Sequence, residues 1–77
     1  MLYDHIITGQ VIARLRKERG MSQEVLSGLS GIARSHLAMI EAGSRDPAVH
    51  TLWRIAGALG MPLSALILLV EQEMQRR

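Results

Sequence analysis

The sequence contains no cysteine and no phenylalanine, and its aromatic residues other than histidine are limited to Tyr3 and Trp53. Because cysteine is absent, neither a disulfide bond nor a thiolate metal site can stabilise the chain. Apolar residues nevertheless make up 48% of the sequence. A hydrophobic core therefore has to consist of leucine, isoleucine, valine, alanine and methionine side chains.

Long apolar runs are absent as well. No segment has the roughly 18 consecutive apolar residues that a membrane-spanning helix needs, and the N-terminal sequence MLYDHIIT lacks the basic flank of a secretory signal. These absences predict a cytoplasmic protein that does not contact a membrane. The formal net charge of +2 is a mild basic bias, which permits an anionic partner without requiring one.

The sequence also lacks a catalytic constellation. His5, His36 and His50 are scattered, and no pair has a metal-ligand spacing such as HExxH. The serines lie in helix caps and turns instead of a GxSxG elbow. No strand precedes Gly28 and Gly31 and no GK[ST] follows them, so they do not form a phosphate-binding loop. We therefore expect no enzymatic activity, no metal or other cofactor, and no small-molecule ligand.

The 77 residues suffice for one small domain, residues 1–77, near the lower limit for a single hydrophobic core. No segment shows the alternation of apolar and polar residues that is typical of a strand. Helical periodicity and cap residues predict an all-α chain of five helices. We expect a short arm at its N-terminus, followed by helices at about residues 8–19, 23–29, 34–42, 49–59 and 63–74; the arm comprises residues 1–7.

The segment QEVLSGLSGIARSHLAMIEAG, residues 23–43, has the pattern of two short helices joined by a tight turn. Leu26 and Leu29 provide an apolar side for the first helix. Gly31 lies at the turn, where glycine reaches a positive φ without steric cost. Apolar residues with helical spacing then attach the turn and the second helix to the core; these are Ile32, Leu37 and Ile40.

This segment resembles the helix-turn-helix of phage repressors and Cro-like (Xre-type) regulators. The family has a glutamine at the start of the first helix, a small residue four positions later, a glycine after eight and a branched apolar residue after fourteen; here these are Gln23, Ser27, Gly31 and Leu37. The chain departs from the family in having Ser27 where alanine is usual, and Ala33 where serine, threonine or aspartate is usual.

The resemblance covers about residues 7–69 and implies a five-helix, lambda-repressor-like DNA-binding domain with its helix-turn-helix at about residues 23–42. In such motifs the second helix lies in the major groove of double-stranded DNA, with its N-terminal residues against the base edges. Here that recognition helix is about residues 34–42. Base contacts are predicted for the residues that point away from the core or lead the helix; these are Arg34, Ser35, Ala38 and Met39.

Some of these contacts have alternatives. Arg34 either donates two hydrogen bonds to guanine O6 and N7 or contacts only phosphate. Met39 either makes apolar contacts in the groove or is partly exposed packing. His36 either contacts phosphate or is solvated. The resemblance and the dipole at the start of the first helix predict phosphate contacts on both sides of the recognition helix, by Gln23, His36, Ser44 and Arg45.

Four further residues are predicted to stabilise the fold and not to contact DNA. Members of the family pair an arginine near the end of helix 1 with a glutamate near the end of helix 3. The resemblance therefore implies that Arg16 and Glu41 form a structural ion pair, and that Arg16 is not a DNA contact. Trp53 and Leu59 are predicted to lie in or near the core.

The last helix has two apolar sides. At 100° per residue, one side is wide enough to close the core, and it carries Leu63, Leu66, Ile67, Val70 and Met74. The opposite side carries Ala65, Leu68, Leu69 and Gln72. Exposed adjacent leucines indicate a partner surface, and regulators of this type dimerise through this end of the domain. We therefore expect a two-fold homodimer on a palindromic operator, with Leu68 and Leu69 at the centre of its interface and Ala65 and Gln72 beside them. Alternatively, the helix bends or ends early and these leucines cover the N-terminal arm.

The sequence thus predicts a small homodimeric transcriptional regulator. Its size is that of phage repressors, restriction–modification controllers and antitoxins. It leaves no room for a sensor domain, so regulation is expected to come from concentration, dimerisation or a partner. The alternative is a protein-interaction module or antitoxin-type partner that uses the same helices. The outward Ala38 and Met39 and the modest net charge favour that alternative.

Overall fold

The computed structural model describes residues 2–77, which contain five α-helices and no strand. The bounds are α1 His5–Glu18, α2 Gln23–Ser30, α3 Arg34–Ala42, α4 Val49–Ala58 and α5 Leu63–Arg76. The predicted all-α, five-helix architecture is confirmed. Helix α1 packs against α3 and α5, α2 packs against α3 and α4, and α4 packs against α5.

The N-terminal arm is shorter than predicted. Helix α1 begins at His5, because the Asp4 carboxylate accepts a hydrogen bond from the Ile6 N–H at 2.9 Å and so caps the helix. Ile7, assigned to the arm, is a buried core residue. Beyond the cap, the Tyr3 and Thr8 hydroxyls lie 2.7 Å apart. Residue 1 of the predicted arm lies outside the described residues.

Helix α5 also differs from its predicted end, since it continues two residues beyond Met74. Glu73 Oε2 lies 3.5 Å from Arg76 Nη1, and Glu73 Oε1 lies 3.3 Å from Arg77 Nη2, in each case about one helical turn away. Pairs with this spacing stabilise a helix modestly, and here they act on its last turn.

Two glycines shape the segment between α2 and α4. Gly31 ends α2 with φ +70° and Gly43 ends α3 with φ +82°, a left-handed conformation that side chains with a Cβ rarely adopt. Ser22 starts α2, where its hydroxyl accepts a hydrogen bond from the Val25 N–H at 3.1 Å. The sharp turn between α2 and α3 therefore follows from local sequence.

All five helices contribute side chains to one core. Its fully buried large residues come from α1, α2, α3, α4 and α5 in turn, and are Val11, Ile12, Leu26, Leu37, Ile40, Ile55, Leu66 and Val70. Leu59 is also buried, as predicted. Within residues 2–77 no single helix is long and apolar enough to cross a membrane; α4 and α5 meet that requirement only in combination, and they are bent by 102° relative to each other.

Leu29, predicted to lie on the apolar side of the first helix of the motif, and Trp53, predicted to lie in or near the core, are both exposed. Leu29 is 61% exposed, because α2 turns Leu26 and Ser30 inward and Leu29 lies on the flank away from them. Trp53 is 67% exposed, because α4 turns Leu52, Ile55 and Ala56 into the core and Trp53 away from it. The indole instead borders a shallow groove between α4 and α5.

The outer side of α5 is narrower than predicted. Leu68 is 53% exposed and Gln72 is exposed, but Leu69 is partly buried and packs against the core. Ala65 is partly buried as well. The reason is that α5 lies against both α1 and α4.

The contact between α1 and α3 is a backbone contact. A Cβ placed on Gly9 would run into the Ile40 carbonyl oxygen and would lie 3.2 Å from the Glu41 carbonyl oxygen. Only glycine therefore allows α1 to approach α3 this closely. This contact holds α3 from behind, on the side opposite its exposed residues.

We expect Gly9→Ala to lower the free energy of unfolding by about 1–3 kcal/mol, because the added methyl group must push two helix backbones apart. The matched control is Gly28→Ala, since a Cβ at Gly28 meets nothing within 4 Å. That variant should gain about 0.5–1 kcal/mol from the better helix propensity of alanine. Urea denaturation measures both changes, and equal effects of the two substitutions would contradict the close contact.

Candidate nucleic-acid interface

Helix α3 has a buried side and an outward side. Leu37 and Ile40 are completely buried. Arg34 and Ser35 are exposed at the start of the helix, and three of the following positions, His36, Ala38 and Met39, are partly buried. The predicted base-reading residues therefore share one surface, with the polar Arg34 and Ser35 at its N-terminal end and the apolar Ala38 and Met39 behind them.

The N-terminus of α3 has no side-chain cap. Ala33 occupies the N-cap position with non-helical backbone, φ −58° and ψ 140°, and its side chain accepts no hydrogen bond from the first-turn N–H groups. The first turn also contains no acidic residue. The positive end of the helix dipole is therefore not offset by a nearby carboxylate in this turn, and the Arg34 guanidinium adds to it.

Arg16 and Glu41 form an ion pair behind this surface. Arg16 Nε donates to Glu41 Oε2 at 2.8 Å and Nη2 donates to Oε1 at 2.9 Å. The two side chains are only 11% and 6% exposed. The hydrogen bond to Glu41 raises the pKa of Arg16, and burial opposes this rise. Because Nη1 also donates to the Met21 carbonyl at 2.8 Å, the guanidinium is committed to contacts within the protein.

Gln23 takes part in the same network, which the sequence did not indicate. Its amide Nε2 donates to Glu41 Oε1 at 3.0 Å, so one carboxylate at the end of α3 binds side chains from both α1 and α2. Gln23 remains partly exposed at the start of α2. The one sequence signal that bears on this contact is a glutamine at the start of α2 together with a glutamate near the end of α3.

Ser44 and Arg45 are exposed after the C-terminus of α3. The Ser44 N–H and hydroxyl both donate to the Met39 carbonyl, at 3.0 and 3.2 Å. His5 Nε2 lies 3.1 Å from the Gly43 carbonyl oxygen. These contacts tie the end of α3 to the start of α1, and they leave the Arg45 side chain on the surface.

The helix-turn-helix (HTH_3) family model matches residues 12–66 of the chain. The chain belongs to this helix-turn-helix family. The predicted resemblance to phage repressors and Xre-type regulators is therefore confirmed.

Two of its relatives have names that indicate transcriptional control. An uncharacterized HTH-type transcriptional regulator, y4dJ, of Sinorhizobium fredii is 42% identical over 55 residues, which is 71% of each chain. The immunity repressor protein of Bacillus phage phi105 is 42% identical over 59 residues, which cover 77% of this chain but 41% of the repressor. The chain thus spans less than half of that repressor.

Solved structures of restriction-modification controller proteins are similar to this helix-turn-helix protein. C.AhdI from Aeromonas hydrophila is 35% identical, with a TM-score of 0.78 over 82% of this chain and 96% of the controller. C.Esp1396I is 25% identical, with a TM-score of 0.89 over 100% of both chains. A tetramer of C.Esp1396I in complex with its natural 35-base-pair operator has a TM-score of 0.88 at 25% identity, over 97% of this chain and 99% of the controller.

Two arginines make contacts that sequence reasoning missed. Arg19 Nε donates to the Leu59 carbonyl at 2.8 Å and so joins the end of α1 to the end of α4. Arg54 Nη1 lies 3.4 Å from the Gly31 carbonyl, beside the turn of the helix-turn-helix. Within residues 2–77, no three histidine, aspartate or glutamate side chains are close enough together to hold a metal ion.

The uncapped start of α3 is testable. Ala33→Ser or Ala33→Asp supplies the missing acceptor and should raise the free energy of unfolding by about 0.5–2 kcal/mol. Ala33→Val is the control, because it enlarges the side chain without adding an acceptor and should give none of this gain. The measurement is the denaturant midpoint of each variant. A midpoint that does not rise with serine, or that rises equally with valine, would show that capping is not the cause.

Proposed function

We propose that the chain binds double-stranded DNA sequence-specifically as a small homodimeric transcriptional regulator, with α3 in the major groove. The observation that carries this proposal is the division of α3 into a completely buried inner side and an outer side led by exposed Arg34 and Ser35. The chain supports such a helix rigidly from behind, through Gly9 and Glu41. Relatives named as transcriptional regulators, and the operator complex of C.Esp1396I, support the same function.

The outward residues of α3 suit base recognition in different ways. The Arg34 guanidinium can donate two hydrogen bonds to guanine O6 and N7, and the Ser35 hydroxyl can bond to several base edges. Ala38 is small, so the helix can approach the groove and its methyl group can contact a thymine methyl. Met39 adds apolar contact next to it. We assign Arg34 the main reading role.

Phosphate contacts on either side of α3 would fix its position. We propose Gln23 and His36 on one side, and Ser44 and Arg45 on the other. Of the latter two, Arg45 is the stronger candidate, because it is charged and its side chain is on the surface. The single hydrogen of the Ser44 hydroxyl already donates to the Met39 carbonyl. Contacts of this kind set register and affinity without reading sequence.

The remaining parts of the proposal follow from this role. DNA binding by helix presentation requires no cofactor, no metal and no small-molecule ligand, and we assign the chain no catalytic step. We place it in the cytoplasm, where a regulator of this size meets its operator.

The base-reading role of Arg34 is the most direct test. A cognate duplex is first selected from a random pool. Arg34→Ala should then weaken binding to it by about 1–3 kcal/mol and relax the preference at one base pair. Arg45→Ala is the control, because a phosphate contact should weaken cognate and random duplexes alike. If Arg34→Ala also weakens both duplexes equally, Arg34 contacts only phosphate.

Salt dependence in the same titrations distinguishes the alternative function. A DNA-binding regulator should lose affinity steeply, with a log–log slope of about 0.9 per phosphate neutralised. A protein-interaction module that has lost DNA affinity should select no duplex from the pool and show no such slope. That result would overturn the proposed function.

We further propose that the dimer forms through the outer side of α5, with Leu68 at its centre and Ala65 and Gln72 beside it. Leu68 is a large apolar side chain exposed to solvent, on a helix whose other side closes the core. Leu69 packs against the core, so only the exposed part of its side chain would contact the second copy. A two-fold axis at this end would separate two copies of α3 by about 34 Å, one turn of DNA.

Leu68→Glu should therefore give a folded monomer in light scattering, because two carboxylates would meet at the two-fold axis. This monomer should bind a full palindrome little better than a half-site. Leu29→Glu is the matched control: Leu29 is similarly exposed, at 61%, but lies on α2, and it should leave the dimer intact. Leu69 is excluded from the test, since a charge there would also disrupt the core. A wild-type protein that is monomeric at tens of micromolar would contradict the dimer.

A further inference from the structure

One carboxylate joins three helices next to the proposed DNA-binding surface. Glu41 Oε2 accepts from Arg16 Nε, and Glu41 Oε1 accepts both from Arg16 Nη2 and from Gln23 Nε2, at 2.9 and 3.0 Å. A buried ion pair is by itself weak evidence for a stabilising role, because desolvation offsets much of its attraction. The additional bond to a residue proposed to contact phosphate suggests another role.

The bond to Glu41 selects one orientation of the Gln23 amide. A side-chain amide carries an NH2 group with two donors and a carbonyl oxygen that only accepts. Facing a carboxylate, the NH2 group is attracted and the carbonyl oxygen is repelled. One N–H of Gln23 therefore points to Glu41, and the second N–H of the same nitrogen points away from it. This second N–H remains as a donor on a partly exposed side chain.

Arg16 removes the electrostatic cost of this arrangement. An isolated carboxylate near the DNA backbone would repel phosphate, because both are anionic. The two hydrogen bonds from Arg16 neutralise the Glu41 charge while one lone pair of Oε1 still accepts from Gln23. The pair can therefore orient a donor towards an anion without presenting a net negative charge to it.

We propose that Glu41, neutralised by Arg16, is a positioning residue that holds the Gln23 amide with an N–H directed towards a DNA phosphate. This inference rests on the proposed DNA-binding function and assigns the ion pair a role in it. Glu41 itself does not touch DNA. Its effect on affinity is transmitted through Gln23.

A double-mutant cycle tests the proposal on the full chain with the selected cognate duplex at fixed salt. The first background is wild type. The second is Arg16→Met with Glu41→Leu, which replaces both charges by apolar groups so that no unpaired charge is left buried. Gln23→Ala should weaken binding about tenfold in the wild type, as expected for a hydrogen bond to a charged acceptor. The Arg16→Met, Glu41→Leu background should itself bind the duplex about as weakly as Gln23→Ala does in the wild type. Adding Gln23→Ala to this background should then weaken binding further by no more than about twofold.

Arg45→Ala is the control in both backgrounds, because Arg45 is a proposed phosphate contact outside the network. It should cost the same factor in each. A purely structural role of Glu41 predicts that Gln23→Ala also costs the same in both backgrounds, and this additivity would overturn the inference. The inference would also be overturned if Gln23→Ala alone left the affinity for the cognate duplex unchanged. In that case Arg34→Ala could still relax specificity, and the proposed function would stand. A wild type that selects no duplex removes the function and the inference together.

A measurement on the unmodified protein gives a second test if the Met/Leu background does not fold. In 15N-labelled protein, the two Nε2 protons of Gln23 should differ in chemical shift clearly more than those of a free glutamine side chain before DNA is added, because only one of them is bonded to Glu41. Addition of the cognate duplex should then shift the other proton. A Gln23 amide whose protons resemble those of a free glutamine side chain would overturn the inference.

Discussion

The close approach of α1 to α3 is the contact on which the rest of the structure depends. At Gly9 the two backbones meet without an intervening side chain, so the position of α3 is set by rigid atoms instead of adaptable rotamers. Leu37 and Ile40 then have no freedom to shift, since both are completely buried. A helix held in this way can present its outer residues with little motion.

The polar contacts around α3 complete this support at its C-terminal end. Near the C-terminal end, Glu41 binds Arg16 and Gln23, while His5 lies against the Gly43 carbonyl. At the N-terminal end no side chain caps the helix, so the first-turn N–H groups remain available. The C-terminal end of α3 is therefore tied to the rest of the protein and its N-terminal end is open, which fits the proposed contact of its N-terminal residues with DNA.

The apolar surface of the domain is distributed over several helices. Leu29 on α2, Trp53 on α4 and Leu68 on α5 are each more than half exposed. In a domain this small the core cannot cover every large side chain. Of these residues, Leu68 lies on the outer side of α5, the C-terminal helix, and this is the side through which we propose that a second copy binds.

The sequence by itself determined the number and type of the helices, the turn at Gly31 and the two sides of α3. These features depend on neighbours within a few residues: a cap at Ser22, a left-handed glycine, and apolar side chains at helical spacing. Tertiary structure alone decided the exposure of Leu29 and Trp53, the burial of Leu69 and the bond between Gln23 and Glu41. Each of these depends on the angle and distance at which two helices pack. Periodicity indicates that a helix has an apolar side, but the width of that side is set by how many neighbours cover it.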